Sequence, residues 1–155
     1  MSIRAARADE LETLLAIQRE AAVVAFARVF PQDRYPFPDD AIREVWREAL
    51  ADPLVEVYVA EEEGAAVGSV SVGHGYLRTI YVVPAWWSKG VGSALHDHAL
   101  DRLRALGARE ARLWTLVENN PARGFYERRG WRLTGETRPV PFPPFPTDVE
   151  YARPL

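Results

Sequence analysis

A strand-like run, Leu77 to Val83, stops at Pro84 and leads into Ala85-Trp86-Trp87-Ser88-Lys89-Gly90-Val91-Gly92-Ser93-Ala94-Leu95. This reads as a strand, a short glycine-containing turn and the start of a helix. The first amides of a helix have no intrahelical partner and lie at the positive end of its dipole, so the turn is suited to an anion. Gly90 and Gly92 leave the backbone open to phosphate oxygens, and Lys89 adds a mobile cation. Spacing excludes two familiar phosphate loops. The order Gly-x-x-x-x-Gly-Lys-Ser/Thr is absent, and Leu95 stands where a dinucleotide fingerprint needs its third glycine.

Other chemistry is easier to exclude. The chain has no cysteine, so it has no thiolate nucleophile, no disulfide and no thiolate metal site. A bridge-free domain suits a reducing, cytoplasmic setting. His96 and His98, two residues apart on a helix, point to different faces and do not make a metal site; they read as surface or cofactor-edge residues. No metal is expected.

The elements that position the loop follow from periodicity and punctuation. Ile3–Ala6 is an opening strand, and Asp9-Glu10-Leu11-Glu12 looks like a capping box opening a helix that runs to about Phe30. Prolines make 30–38 a loop. A second helix, capped near Asp39 or Asp40, puts Ile42, Val45, Trp46 and Ala49 on its buried side and ends at Asp52-Pro53. Alternation at Val55, Val57 and Val59 marks a strand; Glu61–Gly64 turns it back through 66–73 and on to 77–83. The helix after Gly90 buries Val91, Leu95, Ala99, Leu103 and Leu106 and stops at Gly107. Ala111–Val117 is a strand, and Asn119-Asn120-Pro121 opens a helix that ends at Gly130. Residues 131–133 and 149–151 are closing strands. The order is β-α-α-β-β-β-α-β-α-β-β, an α/β (α+β) mixed sheet in one domain spanning 1–155.

Composition agrees. The 155 residues are 48% hydrophobic, with a net charge of −3, and eighteen of the nineteen basic residues are arginine. Mixed charge gives no nucleic-acid face, the apolar runs are too short for a membrane span, and Met1-Ser2-Ile3-Arg4 lacks the apolar stretch and small-residue cleavage site expected of a signal peptide.

The pattern Val83-Pro84 followed by Gly90-x-Gly92 and an amphipathic helix resembles the acyl-CoA loop of the GNAT superfamily of N-acetyltransferases. Residues 119–131, with Asn119, Ala122, Tyr126 and Gly130-Trp131, resemble that family's second motif, and the opening Ile3-Arg4-x-Ala6-x-x-x-Asp9 is typical of it as well. The resemblance spans essentially the whole chain. It implies acetyl-CoA as co-substrate. Backbone groups of Ile80, Tyr81 and Val82 would pair with the pantetheine arm, and Ser88, Lys89, Gly90, Val91, Gly92 and Ser93 would hold the pyrophosphate. Asn119 would contact the cofactor arm, and Tyr126 would face the thioester sulfur as the acid. The acceptor would be a small-molecule amine or a peptide N-terminus, with a homodimer left open.

The chain departs from the family pattern at four positions. Trp87 stands where Gln or Arg is usual, Ser88 where Gly is frequent, and Tyr76 and Trp114 where acids often serve as base. Proton removal from the amine therefore falls to His74, Tyr76 or Glu118 acting through water. The proline–aromatic segments 30–38 and 139–146 would border the acceptor pocket, with Asp33 or Asp148 attracting the amine. Without the usual acids, the alternative is a non-catalytic acyl-CoA-binding regulatory module.

Overall fold

The computed structural model describes every residue from Met1 to Leu155. The elements are β1 (Ser2–Ala5), α1 (Leu11–Ala25), α2 (Asp39–Ala51), β2 (Val55–Glu62), β3 (Ala65–Gly73), β4 (Tyr76–Val82), α3 (Val91–Ala105), β5 (Glu110–Leu116), α4 (Asn120–Glu127), β6 (Arg132–Pro139) and β7 (Thr147–Pro154), with a single 3-10 turn at Pro84–Trp86. The order is the one read from the sequence. The seven strands form one mixed sheet in the order β1-β2-β3-β4-β5-β7-β6, antiparallel throughout except for β4 and β5.

Alternation along the strands divides the core between two faces. Val70, Val72, Leu77 and Leu113 meet Leu95 and Leu103 of α3 and Trp131 beyond α4. Val57 and Val59 meet Leu14 and Leu15 of α1 and Ile42 and Trp46 of α2 on the other.

Several local expectations change. Helix α1 ends at Ala25 rather than Phe30, and no side chain caps its start. Glu10 instead turns inward, where the Arg4 guanidinium donates to it at 2.7 and 2.8 Å and the Arg7 amide at 2.8 Å. Asp39 and Asp40 lie in the first turn of α2 rather than capping it. Val45 is 47% exposed, and Leu106 lies outside the α3 core stripe. Other signals hold: Glu63 and Gly64 both take positive φ in the tight turn between β2 and β3, and Asn119 caps α4 by accepting from the Ala122 amide at 3.3 Å.

One irregularity shapes the site. Ser71 faces Thr79 while Val72 faces Leu77, so Arg78 bulges out of β4 and adds twist. β4 and β5 then pair only at Tyr76 and Arg112, while β7 holds β5 along its whole length. Beyond Tyr76 the two parallel strands diverge into a V-shaped gap.

Candidate active site

The Val83 amide donates to Val67 on β3 at 2.9 Å. Polar groups alternate sides along a strand, so those of Val82 and Ile80 face the gap, where β5 does not pair with them. The amino end of α3 stands at its mouth. Ser88 (φ 60°) and Gly90 (φ 88°) are left-handed there, a geometry that favours glycine. The first turn of α3 carries neither an acid nor a side-chain cap, and its first backbone bond runs from Ala94 to Gly90 at 3.1 Å, which leaves the Val91, Gly92 and Ser93 amides available. Gly68 lets α3 sit this close, since a β-carbon there would meet the Tyr81 carbonyl at 2.9 Å and Leu95 at 3.0 Å.

Three side chains complete the mouth. The Trp87 indole N–H donates to the Val82 carbonyl at 2.6 Å. The Lys89 ammonium lies 4.9 Å from the Trp86 ring centre. Arg129 stacks on Phe125 at 3.5 Å and donates to Ser93 Oγ at 2.8 Å, which sets a fixed cation at the anion site.

Deeper in the gap, Tyr126 is 6% exposed, with its ring among Phe125, Trp131 and Tyr151. Burial, and then the neighbouring Tyr81 hydroxyl, push its ionisation far above the ordinary tyrosine value. Burial, and then the Asp148 charge, push Tyr81 up to about 12. Both phenols therefore keep their protons at neutral pH. Burial raises the Asp148 carboxyl, against the pull of Arg138 at 3.2 Å. At the open end of β5 a cavity of about 200 Å³ is lined by Val29, Leu116, Val117, Glu118, Pro146 and Thr147.

The structure thus gathers Ile80, Tyr81, Val82, the 88–93 loop and Tyr126 round one gap, with Asn119 at its open end. It does not bring His74 there. His74 sits in the turn between β3 and β4, its Nε2 2.9 Å from Asp52 Oδ2, roughly 20 Å from Tyr81 at about 3.3 Å of rise per residue. Tyr76 stands at the closed vertex. Its hydroxyl donates at 2.6 Å to Glu150, which is 2% exposed and also receives Arg112 at 3.1 Å and Thr134 at 2.8 Å. Burial opposes ionisation of Glu150, but these donors outweigh it and its carboxyl is lowered. Glu118 is exposed at the cavity rim. His96 is no surface residue: only 2% is exposed, and its Nε2 accepts from the Trp131 indole at 3.0 Å. Burial lowers its pKa, which favours the neutral ring.

Sequence reasoning missed Arg129, Glu150 and the Trp87 contact. Arg129 meets Ser93 across 36 residues, and Glu150 meets Tyr76 across 74. No local spacing carries such pairs.

Residues 24–131 match the model of the Acetyltransferase (GNAT) family. Over its full length the structure is similar to the PaiA N-acetyltransferase of Thermoplasma acidophilum in complex with coenzyme A (16% identity, 100% of both chains, TM-score 0.75). It is likewise similar to the ribosomal-protein-alanine N-acetyltransferase of Brucella melitensis (20% identity, 100% of both chains, TM-score 0.77). A third similar structure is YncA of Salmonella typhimurium, a putative acetyltransferase with its cofactor acetyl-CoA (21% identity, 100% of this chain and 94% of that one, TM-score 0.73). No curated protein matches the chain in sequence.

Proposed function

The chain belongs to the acetyltransferase (GNAT) family, and on that premise we propose that it moves an acetyl group from acetyl-CoA to a primary amine by direct attack in a ternary complex. The observation that carries this reading is the gap itself: backbone groups of Ile80 and Val82 that β5 leaves without a strand partner, free amides at the start of α3, and Tyr126 packed in the same cluster as Ile80 and Val82.

Each part has a physical role. Ile80 and Val82 accept the pantetheine arm as an added strand once the Trp87 indole releases the Val82 carbonyl. The 88–93 amides and the Arg129 guanidinium neutralise the pyrophosphate. A gap-facing amide, that of Val82, is placed to hold the oxyanion of the tetrahedral intermediate.

Attack by the amine nitrogen on the thioester carbon forms the amide bond and breaks the carbon–sulfur bond. Of the two protons the ammonium nitrogen gives up, one ends on the thiol and the other in solvent. Tyr126 donates a hydrogen bond to the sulfur as charge builds there. A thiolate with a pKa of about 8.5, by analogy with free thiols, needs little more. The phenol that burial keeps protonated is suited to that task.

Proton removal from the amine falls to water at the open end of the gap, since His74 is distant and Tyr76 is committed to Glu150. The acceptor enters opposite the cofactor, between the 30–38 segment and the loop joining β6 to β7, as a small-molecule amine or a peptide N-terminus. Tyr126→Phe tests the assignment. It should lower kcat by about 10–100-fold and leave acetyl-CoA affinity within about twofold. An unchanged kcat removes Tyr126 from the chemistry.

A further inference from the structure

Arg138 lies on the edge strand β6 with its side chain 52% exposed, yet it reaches inward. Its guanidinium stands 4.4 Å from the Trp114 ring centre, and its Nε donates to Asp148 Oδ2 at 3.2 Å. The Asp148 side chain is only 13% exposed. A carboxylate at that depth is unfavourable unless a cation faces it. The chain therefore already holds a cation between an indole face and a buried carboxylate, the pairing that recognises an ammonium.

The position of this pair in the fold gives it a use. Leu116 is the register partner of Asp148, and Thr147 precedes it; both line the cavity of about 200 Å³ at the open end of the gap. Val29, Val117 and Pro146 give that cavity apolar walls. The Asp148 charge also helps to raise the ionisation of Tyr81, a β4 residue flanked by the gap-facing Ile80 and Val82.

We propose that Asp148 and the Trp114 face form the acceptor's ammonium site, and that Arg138 is an internal cation which the substrate amine displaces. The acceptor class is then a primary ammonium on a compact apolar body. Asp148 anchors the nitrogen, and the walls of the cavity take the body. Arg138, on an exposed edge strand, can swing into water when it is displaced. This inference rests on the acetyltransferase reading but is tested by binding rather than turnover.

The probes are 2-phenylethylamine and its uncharged analogue 2-phenylethanol, titrated by calorimetry into the protein saturated with coenzyme A. The wild type should bind the amine at least about 10-fold more tightly than the alcohol, the scale of one desolvated cation contact. Asp148→Asn should bring the two ligands within about threefold. Arg138→Gln, a change at an exposed side chain, should tighten the amine by about three- to tenfold and leave the alcohol unmoved. Equal binding of amine and alcohol by the wild type overturns the proposal, as does a preference that survives in Asp148→Asn or amine binding that weakens in Arg138→Gln. Saturation with coenzyme A, measured first in the same cell, reports separately on the acetyltransferase reading.

Discussion

Replacing Tyr76 by Phe separates a strut from a proton carrier. The Tyr76 hydroxyl donates at 2.6 Å to Glu150, a carboxylate that is 2% exposed and also accepts from Arg112, so it ties together the two residues at which β4 and β5 pair. A hydrogen bond to a charged group contributes about 1.5–3 kcal/mol, and Arg112 and Thr134 still serve Glu150 in the variant, so the loss should be near the lower end, about 1.5–2 kcal/mol. For a chain of this length about 1 kcal/mol moves Tm by roughly 2–4 °C, which gives a fall of about 3–8 °C in differential scanning calorimetry. Because Tyr76 lies about 15 Å from Tyr81 along the strand, kcat with a saturating amine should change by less than about threefold. An unchanged Tm together with a tenfold or greater loss of kcat contradicts this reasoning and returns Tyr76 to the chemistry.

Three further outcomes are expected. Gly68→Ala sets a β-carbon 2.9 Å from the Tyr81 carbonyl and should cost about 1–3 kcal/mol in urea unfolding while weakening coenzyme A binding, because strand β4 or helix α3 must move. Trp87→Phe removes the donor to the Val82 carbonyl and should tighten coenzyme A by about two- to fivefold in a fluorescence titration, since the arm no longer competes with the indole. The hydrogen bond from Arg4, foremost, holds the Glu10 carboxyl at about 2, against an ordinary value of 4.5. A depressed carboxyl stabilises the fold above the unfolded value and loses that stability as pH falls from 4.5 towards 2. Up to about 3 kcal/mol of acid-sensitive stability should therefore vanish over that window in the wild type and be missing from Glu10→Gln, as read by urea unfolding at stepped pH.

What the sequence made legible is what local rules encode. Asn119-Asn120-Pro121 opened a helix, Glu61–Gly64 closed a hairpin, and Gly90 marked the start of α3. Local signals misled where a distant partner took the side chain: Asp9 and Glu12 fit a capping box, but the cap position falls on Glu10, which Arg4 draws inward from β1. His96 looked like a surface histidine because its partner, Trp131, is 35 residues away. The gap itself was beyond local reading, since it needs the Arg78 bulge and the insertion of β7 beside β5. Asp33 and Asp148 were equivalent as residues in aromatic loops. The fold separates them, leaving Asp33 exposed and burying Asp148 against Arg138.

The central claim is acetyl transfer from acetyl-CoA to an amine in one ternary complex. Its most direct test is to follow thiol release and N-acetylated product together across an amine panel, with both substrates varied. Thiol and acetylated amine should appear in equal amounts, and the initial-rate lines should intersect. Acetyl-CoA that binds while no amine gains an acetyl group, or lines that run parallel, would contradict the claim.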